Sequence, residues 1–175
     1  MPRSVAFLRG INVGGRVVKK EVLKDAFTAI GLEGVETFRQ SGNVVFESDS
    51  GAEATRAKIE PALRRALGYD VPVFVRTMAD LRKLVEGDPF KGVEDGDFLV
   101  TFLPASFSRL PVVLPITIPK SKAKVLSSRG HEAFSVTHGG GEGALPNPFL
   151  ESKLKVKTTT RNMNVIRAIV DRFGD

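Results

Sequence analysis

The chain has 175 residues, of which 42% are apolar, and it contains no cysteine. This composition excludes a disordered chain, and it excludes disulfides, thiolate metal sites and cysteine nucleophiles. With 26 basic and 20 acidic residues, the net charge is +6. No apolar run approaches the ~20 residues that cross a bilayer, and no signal-peptide core follows the first residues. We therefore expect a soluble, globular, cytoplasmic protein with no membrane partner.

The first 77 residues predict six elements in the order strand, helix, strand, strand, helix, strand. Their predicted ranges are Ser4–Arg9, Lys19–Ile30, Val35–Gln40, Asn43–Ser48, Glu53–Leu67 and Val71–Thr77. This is the order of a ferredoxin-like βαββαβ subdomain, in which the first and third strands are central. Val5–Leu8 and Val44–Phe46 are apolar on both faces, as central strands should be. Because helices cover only one face of such a sheet, the rest of the chain or another subunit should cover the other.

Residues 78–175 predict a second α+β subdomain, a degraded ferredoxin-like copy that ends in a helix. Its predicted elements are helix Met78–Glu86, strand Asp97–Leu103, hairpin arms Lys122–Ser127 and Glu132–Thr137, helix Asn147–Leu154, strand Lys155–Thr159 and helix Asn162–Phe173. The prolines of the Pro104–Pro119 stretch argue against the first crossover helix of a regular copy. The predicted fold is therefore α+β, with two ferredoxin-like subdomains, 1–77 and 78–175, that suggest a duplication.

A glycine-rich loop joins the first strand to the first helix. Its candidate binding residues are Arg9, Gly10, Asn12, Gly14, Gly15 and Arg16. Glycines leave main-chain N–H groups accessible to an anion, and a helix N-terminus adds positive potential. The side chains of Arg9, Arg16, Lys19 and Lys20 would reinforce this potential. The spacing matches neither the dinucleotide-binding motif nor the P-loop. A tight loop that needs positive φ angles is the alternative explanation.

Two further polar segments lie at strand ends. Gln40, Ser41 and Asn43 belong to the tip of the predicted hairpin, where a turn that caps its own backbone is the alternative interpretation. Thr160, Arg161 and Asn162 lie where the last strand meets the last helix. Thr160 or Asn162 suits an N-cap, and Arg161 could meet an anion held at that helix end. Capping alone would also explain this segment.

Lysines at alternate positions predict two basic faces if the chain is extended there. They are Lys120, Lys122 and Lys124 in one run, and Lys153, Lys155 and Lys157 in the other. Such faces suit the phosphates of a nucleic acid, although a solvated edge strand has the same pattern. The predicted third strand has asparagine and valine at the positions where an RNA-recognition domain has the aromatic residues that stack on bases.

No catalytic constellation is recognisable, so the sequence leaves open whether the protein is an enzyme. His131 and His138 are seven residues apart, which places them on opposite faces of a regular strand and makes a poor metal spacing. We therefore expect neither a metal nor a cofactor.

Three motifs in order, RGINVGG at Arg9–Gly15, QSGNVVF at Gln40–Phe46 and TTRN at Thr159–Asn162, carry a resemblance. The chain resembles the bacterial domain-of-unknown-function family 1697 over nearly its whole length. The resemblance implies an α+β protein with two related ferredoxin-like halves, and it implies no activity. One departure is Met163, where the family usually has tryptophan; methionine keeps apolar bulk there but not ring stacking.

These observations lead to one main hypothesis and two alternatives. The three motifs are expected to converge on a cleft between the halves that binds an anionic or phosphate-bearing small ligand. The first alternative is a module that binds nucleic-acid backbone through the lysine runs. The second is a protein–protein interaction module. The expected state is a monomer or a weak homodimer, and the ligand's identity is open.

Overall fold

The computed structural model of the protein describes residues 1–39, 42–140 and 144–175. Contacts divide the chain into two compact units. The first unit comprises Met1–Lys83 together with Ile169–Asp175, and the second comprises Leu84–Ala168. Residues 78–83 and 169–175, which the sequence prediction assigns to the second subdomain, thus pack with the first unit.

The first unit contains the predicted βαββαβ order. Its elements are β1 (Arg3–Leu8), α1 (Lys20–Ala29), β2 (Glu33–Phe38), β3 (Asn43–Glu47), α2 (Ala52–Leu67) and β4 (Val73–Thr77). The strands form one antiparallel sheet in the order β2-β3-β1-β4. β1 and β3 are therefore the central strands, as their two-sided apolar pattern predicts.

One face of this sheet packs on α1 and α2. Leu23 and Phe27 of α1 and Ile59 and Leu63 of α2 are buried in a single apolar core with the strand residues on that face. The ring of Phe27 meets that of Phe46 edge to face, with centroids 5.8 Å apart. Residues three and four apart on each helix thus supply the core, as the helical periodicity predicts.

The opposite face of the same sheet is also buried. Cross-strand pairing aligns Phe38, Asn43, Phe7 and Phe74 in one row across the four strands. The end of the last helix, α5 (Met163–Phe173), belongs to this unit, and the ring of Phe173 packs edge to face on Phe38 with centroids 6.0 Å apart. The chain itself thus supplies cover for this second face, which the two-sided strands require.

The second sheet is built around the remaining strands. After α3 (Met78–Glu86), the chain forms β5 (Asp97–Phe102), β6 (Ile116–Thr117), β7 (Ala123–Arg129), β8 (Glu132–Thr137), α4 (Asn147–Leu154) and β9 (Thr159–Asn162) before α5. The strand order is β6-β7-β8-β5-β9. Without the two-residue strand β6, the order β7-β8-β5-β9 repeats that of the first sheet. The two sheets and five helices of the described residues together form the predicted α+β fold with two subdomains and a C-terminal helix.

The segment between β5 and β7 contains no helix, and every residue of it is described. Proline has no N–H donor and clashes with the preceding helical turn, so its repetition between Pro104 and Pro119 prevents a helix. Leu103, Leu110 and Ile118 of this segment are instead buried in one core with Leu150 and Leu154 of α4. Irregular chain thus fills the part of the core that a crossover helix would fill in a regular copy.

The predicted strand Lys155–Thr159 is wrong. α4 runs to Leu154, and Lys155 adopts a left-handed φ of 57° as its C-cap, with its N–H donating to the carbonyl oxygen of Glu151. β9 begins only at Thr159, because its pairing with β5 starts at Phe102 opposite Thr159. Within the described ranges, no helix is both long and apolar enough to cross a membrane.

Ser135 offers a test of the packing in the second unit. Its Oγ is buried beside Leu99 and Val125 and has no hydrogen-bond partner within the described part of the chain. Since an unsatisfied buried hydroxyl costs stability, Ser135→Ala should raise the free energy of unfolding by about 1 kcal/mol. Denaturant titration measures this change.

Thr101→Val is the matched control on the same face of the sheet. The hydroxyls of Thr101 and Thr160 are hydrogen-bonded at 2.8 Å, so this substitution should lower stability by about 1 kcal/mol. Equal destabilisation by Ser135→Ala and Thr101→Val would contradict the assignment of an unsatisfied hydroxyl at Ser135.

Candidate functional site

The glycine-rich loop between β1 and α1 is held in a left-handed conformation at several positions. Gly10, Asn12, Gly14 and Gly15 have φ angles of 73°, 60°, 62° and 79°. The Oδ1 atom of Asn12 accepts a hydrogen bond of 2.7 Å from the N–H of Val18. Asn12 therefore fixes the end of the loop just before the helix, and the glycines permit its turns.

The hairpin between β2 and β3 touches this loop through Gly42. The N–H of Leu8 donates to the carbonyl oxygen of Gly42 at 2.8 Å. A Cβ at Gly42 would lie 3.2 Å from the Cβ and the carbonyl oxygen of Leu8 and 3.3 Å from the Cβ of Ile11. Two of the predicted motifs thus meet in the first unit. Gln40 and Ser41, the other predicted residues of the hairpin tip, lie outside the described residues.

A cavity of about 730 Å³ opens between the loop, the start of α1 and the hairpin. We call it the loop–hairpin cavity. It is lined by Asn12, Val17, Val18, Lys19, Lys20, Glu21, Leu23, Thr37, Arg39, Gly42 and Asn43. Three of these side chains are cationic and one is anionic, so the lining carries a net positive charge of about two.

The start of α1 adds to this potential. The helix begins at Lys20, and its N-cap, Lys19, has an extended backbone and makes no side-chain capping hydrogen bond. The N-terminus of a helix carries a partial positive charge that favours anions and disfavours cations. Two adjacent lysines therefore stand at the end of the helix where their charge is least stabilised. A bound anion would relieve this repulsion.

Some of the predicted site residues in the first unit line the cavity, and others do not. Asn12 and Asn43 line the cavity. Asn43 is buried, and its Nδ2 donates to the carbonyl oxygen of Phe38 at 3.1 Å, which closes the hairpin. Among the described lining residues, neither Arg9 nor Arg16 is present. The Arg16 guanidinium instead stacks over the ring of Tyr69, 4.3 Å from its centroid.

The third motif lies in the second unit, where it ends β9. The Oδ1 of Asn162 accepts a hydrogen bond of 2.9 Å from the N–H of Asn164 and so caps the start of α5. Arg161 is half-buried, and its Nη1 donates to Thr159 Oγ1 at 2.8 Å and to the carbonyl oxygen of Thr160 at 3.0 Å. Burial lowers the pKa of Arg161 to about 10. The guanidinium therefore remains charged at neutral pH.

The predicted basic faces are only partly formed. Lys122 and Lys124 are exposed on either side of buried Ala123, but Lys120 has a left-handed φ of 60° in the preceding turn. The second run is not extended, which contradicts the prediction. Lys153 lies in the last turn of α4 and Lys155 is the left-handed C-cap, so Lys153, Lys155 and Lys157 do not alternate along a strand.

The two histidines belong to the second unit. Nδ1 of His131 is 2.7 Å from the carbonyl oxygen of Phe107, and Nε2 of His138 is 3.2 Å from Oδ1 of Asp95 on the exposed surface. In the described portion of the sequence, no group of three or more histidine, aspartate or glutamate side chains is arranged to hold a metal ion.

The sequence analysis did not identify one pair of matching positions, Arg76 and Arg161. Arg76-Thr77-Met78 ends β4 and starts α3, and Arg161-Asn162-Met163 ends β9 and starts α5. Arg76 pairs with Val5 of β1, and Arg161 pairs with Val100 of β5. In each case Nη1 donates to the carbonyl oxygen of the preceding residue, at 2.9 and 3.0 Å. The two arginines thus have the same place in their units, at the end of the strand that precedes a helix, and aligning the two halves of the sequence could have found them.

Six described lining residues of the cavity were not predicted as part of the site: Val17, Val18, Glu21, Leu23, Thr37 and Arg39. Arg39 immediately precedes the predicted hairpin motif, and its φ angle of 55° places it in the turn. Its position beside the motif is the one signal that could have indicated it.

Comparison with known proteins identifies the fold and the family. The solved structure of the conserved bacterial protein SP0830 from Streptococcus pneumoniae is similar to this chain, with a TM-score of 0.68 and 23% sequence identity. The similarity covers 100% of this chain and 99% of that one, and it shows the shared fold. No curated protein matches the chain. The sequence model of the family described as "Protein of unknown function (DUF1697)" matches residues 1–134, and the chain therefore belongs to that family.

Proposed function

We propose that the protein binds an anionic or phosphate-bearing small ligand in the loop–hairpin cavity. The observation that carries this proposal is the placement of Lys19, Lys20 and Arg39 around one cavity of about 730 Å³ at the start of α1. Ligand cavities of roughly 300–1,000 Å³ are typical of small-molecule sites. The sole acidic lining residue among those described is Glu21, which leaves the cations in excess.

The chemistry of the lining suits binding more than bond breaking. Ammonium and guanidinium groups attract phosphate or carboxylate oxygens. The N–H groups in the first turn of a helix can donate hydrogen bonds to an anion. Any catalysis by these groups would act through charge stabilisation and positioning. A contribution of Thr160, Arg161 and Asn162 to the same ligand remains a prediction, as does one from Gln40 and Ser41.

We propose that the protein acts in the bacterial cytoplasm as a monomer or a weak homodimer. We also propose that its two units are ferredoxin-like. The solved relative from Streptococcus pneumoniae supports a bacterial setting. The absence of cysteine is compatible with a reducing compartment.

Inorganic phosphate is the first probe. At ten times its Kd, phosphate should stabilise the protein by about 1.4 kcal/mol and raise Tm by roughly 3–5 °C. Replacing both lysines, in the variant Lys19→Gln/Lys20→Gln, should abolish this rise because it removes two of the three cations of the lining. Thermal unfolding with and without phosphate measures the effect, and sodium chloride keeps the ionic strength constant because salt screens surface charge.

Lys24→Gln provides the matched control for this experiment. Lys24 is an exposed lysine of the same helix that is not among the lining residues, so its variant should keep the full response to phosphate. A wild-type protein whose Tm does not respond, or a double variant that responds as strongly as wild type, would refute the proposed site.

A further inference from the structure

The loop–hairpin cavity has an apolar side that an inorganic anion would leave unused. Val17, Val18 and Leu23 line it together with the cations. The side chain of Val17 is 83% exposed, although it is apolar and stands directly before the half-buried Val18. A single exposed valine is ordinary on a protein surface. Val17 differs because it offers exposed apolar surface in the lining of a cationic cavity.

The charge and the volume of the cavity further restrict the class of ligand that fits it. Lys19, Lys20 and Arg39 outweigh Glu21 by two positive charges, which matches a phosphate monoester that carries −1.5 to −2 charges at neutral pH. The volume of about 730 Å³ lies in the range of cavities that hold drug-sized organic molecules. A bare phosphate ion would leave most of this volume to water.

We propose that the natural ligand is an organic phosphate monoester whose apolar body packs against Val17 while the phosphate meets Lys19, Lys20 and Arg39. This inference rests on the proposed function and names its ligand class. The phosphate supplies the electrostatic attraction, and burial of the apolar body supplies the preference for an ester over the free ion. Val17 accordingly determines the preference for an ester over the free phosphate ion. The lysines bind both, because they contact only the phosphate group.

Phenyl phosphate and inorganic phosphate are the two probes, and titration calorimetry measures their Kd values on the full chain. Phenyl phosphate should bind at least about tenfold more tightly, since burial of part of an aromatic ring is worth that factor. Val17→Ser should remove most of this advantage and leave the Kd for inorganic phosphate unchanged. Because Val17 is largely exposed, its variant should have the same Tm as wild type without ligand.

Val13→Ser is the matched control. Val13 lies in the same loop and is 51% exposed, but it is not among the lining residues of the cavity. Its variant should keep the tenfold preference. Equal affinity for the two probes, or a preference that survives Val17→Ser, overturns the ligand class while lysine-dependent phosphate binding still supports the anion site. Binding of neither probe overturns the anion site itself.

Discussion

Gly42→Ala is expected to lower the free energy of unfolding by about 2–5 kcal/mol, because it combines backbone strain with crowding. The φ angle at Gly42 is 76°, where an alanine is strained, and the added Cβ would lie 3.2 Å from the Cβ and the carbonyl oxygen of Leu8. Those atoms belong to β1 and cannot move without disturbing the centre of the sheet. For a chain of this length the loss corresponds to a fall in Tm of roughly 5–15 °C, which scanning calorimetry measures.

Gly31→Ala separates strain from crowding. Gly31 follows α1 with a φ angle of 85°, yet no heavy atom lies within 4 Å of the position that its Cβ would occupy. Its alanine variant should therefore lose only the strain, about 1–2 kcal/mol. If Gly42→Ala costs no more than Gly31→Ala, the close contact between hairpin and loop does not constrain the fold as described.

Phe173→Ala is the second substitution for which we expect a large effect, about 3–5 kcal/mol. Phe173 is buried at the end of α5, where its ring meets that of Phe38 at an interplanar angle of 85°. Its carbonyl oxygen accepts a hydrogen bond of 3.1 Å from Nη1 of Arg3 in β1. The variant should lower the denaturation midpoint and speed amide hydrogen exchange in β2, because the cover of that edge strand is lost.

The neighbouring Arg172→Ala controls for a general effect at this end of α5. Arg172 is 60% exposed and forms an ion pair of 3.4 Å with Glu36. An exposed pair of this kind contributes at most about 1 kcal/mol. Comparable losses in the two variants would show that the buried ring is not what holds the helix end on the sheet.

Sequence patterns predicted the first unit well because its residues obey simple periodicities. β1 and β3 are apolar on both faces, and only a central strand with cover on each side satisfies that pattern. The cover itself was not predictable in detail. Phe38 and Phe173 are 135 positions apart, and no local pattern links residues at that separation.

The second unit was harder to predict for local reasons. Lys153, Lys155 and Lys157 alternate with apolar residues and therefore resemble a strand, but the left-handed C-cap at Lys155 ends a helix there instead. Lysine is not a residue type that indicates such a cap, so tertiary packing overrides the local pattern. The absence of a helix in Pro104–Pro119 was predictable, since proline acts through covalent geometry alone.

The candidate site was partly visible in the sequence. The motifs indicated Asn12 and Asn43, and both residues line the cavity. Val17 and Thr37 were not found, since their positions depend on how the loop folds back toward β2. The Arg16 guanidinium lies over the ring of Tyr69 and is not among the described lining residues, so its contact with the ligand stays a prediction.

The duplicated strand order is not matched by a duplicated α1. In the second unit, the segment from Leu103 to Lys122 replaces that helix with irregular chain. The start of α1 forms part of the loop–hairpin cavity. Because the second unit has no helix at the corresponding place, we expect no equivalent cavity there. The expected stoichiometry is accordingly one ligand per chain and not two, although the two sheets, apart from β6, share the same strand order.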